Sequence, residues 1–224
     1  MKKLCLLILT LTSLTASTAF GAIRPFYQDL KLPTQQVLEA QTIASPILAG
    51  ASYVVAATAG ATSAAVATLT TFTNQPDVAR NITITPVGTT GDVEACVIVV
   101  SGTDYNSAAI SENFTFAANA STVQTGSKAF KSVSSVVFPA NCESGSFGAT
   151  WNIGVGTKLG LKRCLANAGD VFKALFAGAN ETVGTVAASA SDVSSNTYIP
   201  TGTMNGSSSV LLYFVQNFAA SCMP

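Results

Sequence analysis

The sequence contains no histidine and few charged residues. None of its 224 residues is histidine, and only 10% are Asp, Glu, Lys or Arg. Without an imidazole, Ser-His-Asp triads, Cys-His dyads and metal sites that rely on histidine ligands are excluded. We therefore predict a protein that is not an enzyme and that uses no catalytic residue, no cofactor and no metal.

The few charges that are present balance each other. Eleven basic residues stand against eleven acidic ones, and two of the basic residues, Lys2 and Lys3, lie in a segment predicted to be removed. The mature chain then carries nine basic residues and a net charge of about −2. This leaves no basic surface typical of nucleic-acid binding. With 48% hydrophobic residues, the chain is long enough to bury one good core or two small ones.

The first 21 residues have the pattern of a signal peptide. Lys2 and Lys3 form a positive region, Leu4–Leu14 an apolar one, and Ala19–Gly21 a small-x-small cleavage site. The alternative, a membrane anchor, is disfavoured because the apolar run is shorter than the roughly 20 residues that span a bilayer. We predict cleavage before Ala22, no stable membrane insertion afterwards, and an exported, extracellular or periplasmic protein.

Cysteines fit an oxidising compartment. Cys5 lies inside the signal segment between Leu4 and Leu6, without the small neighbours of a lipidation site. An even number remains in the mature chain, and we predict that they form two disulfides, for which three connectivities exist. The four cysteines are Cys96, Cys142, Cys164 and Cys222. We prefer the pairs Cys96–Cys142 and Cys164–Cys222, because each would close one half of the chain. A metal site would need close Cys-x-x-Cys pairs, and these four are too widely spaced to form any.

Next to one of these cysteines stand two basic residues, Lys162 and Arg163. Positive neighbours favour a reactive thiolate at Cys164. In an exported chain, however, a disulfide is the expected fate of that sulfur.

The mature chain begins with a polar segment, which is followed by an uncharged one. Residues 22–44 contain Pro25 and Pro33 and are predicted as an irregular arm or linker that could end in a short helix. Ala44–Leu69 is uncharged, but its small residues and glycines disfavour a membrane span. Its β-branched clusters predict strands at Tyr53–Val55 and Val66–Thr73.

Short strand patterns follow at regular spacing. Turn residues separate them, as in Gly102–Asn106, and this alternation predicts an antiparallel sandwich or barrel. In one of them Phe114 and Phe116 share a face, which predicts a strand with one face buried. Trp151, the only tryptophan, is expected in the core. The predicted strands are Asn81–Thr85, Glu94–Ser101, Ile110–Ala117, Ala129–Phe138 and Thr150–Val155.

The pattern changes after Gly160. Leu161–Ala177 is compatible with a helix or with a strand-loop-strand pair, whereas Ser208–Phe218 is a continuous apolar strand expected inside a sheet. We predict a mainly β fold, an antiparallel β-sandwich of Ig-like or jelly-roll-like type over residues 45–160. Residues 161–224 form a smaller mixed or β segment that packs on it.

Four runs resemble tailed-bacteriophage virion proteins, in the same order. The resemblance as a whole covers about residues 45 to 218. The runs that carry it are Gln75–Pro86, Ser101–Asn106 with Ile110–Glu112, Thr125–Val133 with Val136–Pro139, and Gly148–Leu161. The resemblance implies a β-sandwich structural protein of minor capsid, decoration or neck type. The signal peptide and the cysteines depart from that family, because virion proteins assemble in the reducing cytoplasm and need neither.

Few side chains suggest a chemical site. Asp92, Glu94 and Asp104 lie near turns and lack the oxygen-ligand spacing of a calcium loop, so turn formation is the simpler interpretation. Ser146 has neither the glycine spacing nor the histidine of a nucleophile elbow. A hydrolase that used Glu112 and Glu143 is the least favoured hypothesis, because nothing in the sequence pairs them. Five Asn-x-Ser/Thr sites occur, at Asn81, Asn113, Asn119, Asn180 and Asn205.

These observations predict a structural protein that associates with itself or with other proteins of an assembly, such as a phage particle. The physical basis would be the burial of apolar surface and strand edges between copies. The alternative is a secreted binding module or adhesin whose loops recognise a glycan or a surface protein.

Overall fold

The computed structural model describes residues 37–60, 66–88, 91–143 and 149–216. The predicted signal peptide, most of the predicted arm, Ser146 and Cys222 lie outside these residues. The described chain is mainly β with antiparallel sheets, as predicted. Its strands are β1 Val37–Ile43, β2 Gly50–Ala59, β3 Ala67–Leu69, β4 Arg80–Val87, β5 Cys96–Thr103, β6 Ala109–Phe116, β7 Gln124–Phe130, β8 Ser132–Phe138, β9 Thr150–Gly160, β10 Val171–Phe176, β11 Ala179–Glu181, β12 Thr185–Ala187, β13 Thr197–Ile199 and β14 Val210–Gln216.

Two sheets form the sandwich. The front sheet has the order β3-β8-β5-β6, and the back sheet has the order β12-β13-β9-β4-β7, with β2 also paired to β9. The apolar side chains of β5, β6 and β8 meet those of β2, β4 and β9 in one core. Phe114 and Phe116 point into this core while Asn113 and Thr115 are exposed, which confirms the predicted half-buried strand.

A third sheet, the end sheet, has the order β1-β14-β10-β11. It brings together the two ends of the described chain, since Leu38 is opposite Val215 and Ile43 is opposite Val210. Strand β14 lies between two neighbours, which confirms the predicted interior strand. Residues 37–43, predicted as the end of an irregular arm or a short helix, instead form strand β1.

The end sheet covers a second core. Its inner side chains include Val210, Leu212 and Phe214 of β14, and these pack with Leu159 and Tyr198. Strand β9 serves both cores: its first half supplies Trp151, Ile153 and Val155 to the sandwich, and Leu159 reaches the second core. The prediction that Trp151 is buried is confirmed.

Two predicted segments differ from the observed elements. Ala129–Phe138 was expected as one strand, but the chain turns at Lys131 and enters two sheets, because Phe130 and Val133 are both buried in the same core. Leu161–Ala177 contains no α-helix: a loop and a 3-10 turn at Ala168–Asp170 lead into β10, which pairs with β14. Within the described ranges no helix has the length and apolar character needed to cross a bilayer.

Candidate binding pocket between the two cores

A pocket of about 290 Å³ opens where strand β1, the Gln75–Ala79 loop, the β5–β6 loop and the β7–β8 corner meet. Aliphatic walls and a small number of polar groups line it, a composition typical of small-molecule sites. The lining residues that the structure describes are Thr42, Ile43, Ala44, Pro76, Asp77, Val78, Ala79, Tyr105, Lys131 and Gly160.

All four runs that resemble virion proteins contribute to this pocket. The first supplies Pro76 to Ala79, the second Tyr105, the third Lys131 and the fourth Gly160. Pro76 and Gly160, from the first and last runs, stand 84 positions apart in the sequence. The fold therefore gathers at one place the segments that sequence analysis selected separately.

Asp77, one of the lining residues, forms an ion pair with the buried Arg80. The Nη1 atom of Arg80 lies 2.9 Å from Oδ1 of Asp77, and the two side chains are 0% and 14% exposed. The Arg80 Nε and Nη2 groups donate to the carbonyl oxygen of Gly156, with the Nε bond at 2.8 Å. Nη1 also donates to the Ile47 carbonyl oxygen at 3.1 Å. A buried guanidinium is tolerated because its donors are satisfied.

The second oxygen of Asp77 fixes the neighbouring loop. Its Oδ2 accepts a hydrogen bond from the Ile47 backbone N–H at 2.8 Å. Gln75 holds the other end of the same segment, because its side-chain amide both donates to and accepts from the backbone of Val133, at 3.1 and 2.7 Å. The Gln75–Ala79 loop is thus tied to β8 and to the β1–β2 connection, so the Asp77 carboxylate has a fixed position at the pocket.

The β5–β6 loop forms the opposite rim. Oδ1 of Asp104 accepts hydrogen bonds from the backbone N–H groups of Asn106 and Ala108, both at 2.9 Å. This is the turn role predicted for Asp104. Nζ of Lys131 donates to Oγ of Ser107 at 3.2 Å. Tyr105, which is half-buried, packs against a small cluster that contains Cys164.

The other acidic candidates have separate structural roles. Glu143 is buried and accepts a hydrogen bond from Nε1 of Trp151 at 2.9 Å. Glu112 accepts bonds from the backbone N–H and the hydroxyl of Ser127, at 2.6 and 2.7 Å. Asp92 is buried, and Glu94 is exposed. No group of three or more metal-ligating side chains occurs among the residues that were described.

One predicted disulfide is present. Cys96 and Cys142 are bonded, which links the start of β5 to the segment after β8 and confirms the preferred pairing for this half of the chain. Cys164 is buried and also disulfide-bonded. Because Cys222 lies outside the described residues, its pairing with Cys164 stays a prediction. Lys162 and Arg163 both contact Glu39, at 2.8 and 3.3 Å.

A second polar cluster lies at β13. The Tyr198 hydroxyl donates to Oε1 of Glu181 at 2.7 Å and accepts from the Gly184 N–H at 3.0 Å. Burial, followed by the bond to Glu181, raises the pKa of Tyr198 above its ordinary value. The tyrosine is therefore held as a neutral hydrogen-bond donor. Sequence reasoning did not find this contact, because the two residues stand on different short strands.

The 3-10 turn at Val193–Ser195 is held by Asp192. Partial burial alone would raise the pKa of the Asp192 carboxyl, but hydrogen bonds from Ser194 and Ser195 and the nearby Lys128 leave that pKa below its ordinary value. Oδ1 accepts from the Ser194 backbone N–H at 2.9 Å. Sequence reasoning missed this residue too, although an Asp two positions before a serine is a common turn signal.

The five glycosylation sequons divide into two kinds. Asn81 is fully buried, and its amide bonds to the Lys158 N–H at 2.9 Å and to the Gly126 carbonyl oxygen at 3.2 Å. A glycan at Asn81 is incompatible with this fold. The other four asparagines are exposed, namely Asn113, Asn119, Asn180 and Asn205.

No protein-family model, curated protein or solved structure matches this chain. The virion resemblance therefore has only the four sequence runs as its support.

Proposed function

We propose that this protein is an exported, non-enzymatic structural component of a larger assembly, similar to a phage virion protein, and that it associates with copies of itself. The observation that carries the proposal is the apolar outer face of the end sheet. Its inner face covers the second core, whereas several large apolar side chains on its outer face have no covering layer in the described part of the chain.

The strand register defines this outer face. On β1, Leu38 points outward and is 68% exposed, and it lies opposite Val215 of β14. Leu211 and Tyr213 continue the same face and are half-buried. Phe172 of β10 is 49% exposed and contacts the Tyr213 ring, with 6.5 Å between the ring centroids. These five side chains form a continuous apolar patch across three strands.

The patch carries little charge. Lys173 is the charged residue on it, and its Nζ atom lies 5.7 Å from the centroid of the Tyr213 ring. Large exposed apolar patches of this kind mark interaction sites. Association of two such faces would give the end sheet the second layer that the front and back sheets already give each other. The patch is the same on every copy, so a symmetric pair could bury it.

Sedimentation of the mature protein over a wide concentration range tests the proposal. We expect association that strengthens with concentration, and we expect Leu38→Asp to weaken it at least tenfold because the charge would be buried in the interface. Leu48→Asp is the matched control, since Leu48 is 62% exposed but lies outside the end sheet. A strict monomer at high concentration, or equal effects of the two substitutions, would contradict self-association through this face.

A second candidate function, a secreted binding module, is favoured by the pocket. Binding residues are often carried by loops on a rigid scaffold, and the β5–β6 loop forms one rim here. Exchange of the loop residues 104–108 for an unrelated loop of equal length tests it, because Gly102 and Thr103 belong to β5. Loss of binding to cell surfaces would support the module, and unchanged binding would contradict it.

A further inference from the structure

We propose that the pocket between the two cores binds a neutral sugar unit. The proposal rests on the second candidate function and names its ligand class. Its basis is the combination of one fixed acceptor, one cation and apolar walls within about 290 Å³.

The two charged side chains of the pocket make opposite demands on a ligand. Asp77 can only accept hydrogen bonds, and each of its oxygens already accepts one from the protein, which leaves further lone pairs for a ligand. Lys131 can only donate, and its exposed ammonium uses one bond to Ser107. A ligand that satisfies both must donate a hydrogen bond to Asp77 and accept one from Lys131. Adjacent hydroxyl groups on one ring meet that requirement.

The remaining surface suits the apolar face of a sugar ring. Ile43, Pro76 and Val78 supply aliphatic wall, and Tyr105 supplies an aromatic ring with a polar end. Thr42 adds one hydroxyl that can donate or accept. Small-molecule pockets commonly combine an apolar lining with a few oriented polar groups in this way.

Other ligand classes fit less well. A carboxylate or a phosphate dianion offers no hydrogen-bond donor to the Asp77 oxygens, and a fully apolar ligand would desolvate Asp77 and Lys131 without replacing their hydrogen bonds. An extended peptide needs free backbone groups along a strand edge. Here the Gly160 N–H donates to the Ala79 carbonyl oxygen, and the Gly160 carbonyl oxygen accepts from Gln41. The volume lies near the lower end of the roughly 300–1,000 Å³ typical of ligand sites, which favours one ring over a long chain.

Titration of the intact mature protein with a panel of glycans tests the proposal. The panel contains neutral hexoses, N-acetylhexosamines and their short oligomers, together with uronic and sialic acids, and binding is followed by calorimetry and by NMR shifts. We expect saturable binding of at least one neutral member. Lys131→Met should weaken it at least tenfold, and Lys173→Met, which changes an exposed lysine on the end sheet, should leave it unchanged.

A variant that fills the pocket tests whether the ligand binds there without removing a charged side chain. Ala44 is exposed on the pocket rim, so Ala44→Trp should fill the space and abolish binding while the thermal unfolding midpoint stays the same. Tyr105→Phe, which keeps the ring, should weaken binding by less than Ala44→Trp does.

The outcomes distinguish failure of the sugar proposal from failure of the proposed binding function. Failure of every panel member to bind overturns the sugar assignment, as does neutral-sugar binding that survives Ala44→Trp. Binding of acidic glycans alone also overturns it. If the protein adheres to cells and Ala44→Trp abolishes adhesion after complete removal of surface glycans, the binding module stands and the sugar proposal fails.

Discussion

The sandwich and the end sheet bury similar kinds of side chain in different ways. In the sandwich, the front and back sheets cover each other, and a disulfide joins Cys96 to Cys142. Around Trp151 the core is aromatic, with Phe116 and Phe138 at 5.0 and 5.9 Å between ring centroids. Among the described residues, the end sheet has one covered face and one open apolar face. Within the same part of the chain the sandwich covers its own core, whereas the end sheet leaves this apolar face exposed.

The two regions also differ in how the sequence builds them. Front and back sheets come largely from one continuous stretch between β2 and β9, whereas the end sheet pairs β1 with β14 from opposite ends of the described chain. Closing so long a loop costs conformational entropy before its contacts form. We infer that the sandwich is the scaffold and that the end sheet is the region adapted to association.

Removal of the central aromatic residue should produce the largest effect on stability. Trp151→Ala deletes a fully buried ring and leaves the buried Glu143 carboxylate without its hydrogen-bond donor. We expect the free energy of unfolding to fall by about 3–5 kcal/mol in denaturant titrations. Leu211→Ala, on the half-buried outer face of the end sheet, is the comparison. If Leu211→Ala costs as much as Trp151→Ala, the distinction between the two regions is wrong.

Loss of the disulfide should rank second. The bond closes a separation of 46 residues, and replacing both Cys96 and Cys142 by Ala should lower the free energy of unfolding by about 2–4 kcal/mol. The reduced wild-type protein should lose at least as much, because reduction also breaks the disulfide at Cys164. Thermal unfolding that is unaffected by either change would show that this bond does not stabilise the sandwich.

The Tyr198 hydroxyl should contribute less, and in a pH-dependent way. Tyr198→Phe removes the bonds to Glu181 and Gly184 and should cost about 1–3 kcal/mol near neutral pH. Because the folded protein raises the pKa of Tyr198, the contribution is complete below the unfolded pKa of about 10 and is lost as pH rises above it. The difference in the free energy of unfolding between the wild-type protein and Tyr198→Phe should therefore shrink above pH about 10. A difference that grows there would refute this assignment.

The smallest effect on stability is expected on the open face itself. Leu38 is largely exposed, so Leu38→Asp should change the free energy of unfolding of the monomer by no more than about 0.5 kcal/mol. The same substitution should weaken association strongly. If it unfolds the monomer instead, Leu38 belongs to a core, and the contrast between the covered and the open sheet disappears.

Structural features that depend on local sequence patterns were predicted better than features that depend on long-range contacts. Alternation at Phe114 and Phe116 identified a half-buried strand. The Cys96–Cys142 pair belonged to the preferred one of three connectivities, among which the sequence itself does not choose. Strand β1, Val37–Ile43, was missed because its sequence contains polar residues that are buried only by contacts with residues far along the chain. Gln41, for example, bonds to Gly160 and Lys162. The turn at Lys131 was also missed because it depends on long-range packing. Phe130 and Val133, which flank Lys131, are buried only when the two sheets pack together.

The pocket was only partly predictable. Its β5–β6 loop was recognisable from glycine and aspartate turn residues. The Asp77–Arg80 pair was visible in a selected run, but nothing in the sequence shows that the guanidinium is buried against Gly156. The meeting of Tyr105 and Lys131 with the end of β1 depends on the packing of the end sheet beside the sandwich, which no local pattern encodes.

The most direct test of an exported, oxidised structural component is mass spectrometry of the native protein from purified particles and from culture medium. The spectra read the N-terminus, the thiol state and the copy number together. We predict a chain that begins near Ala22, has no free thiol and is present in particles in a fixed ratio to their other proteins. An intact Met1 with free thiols would contradict export. A processed chain found only free or on cell surfaces would contradict the assembly role.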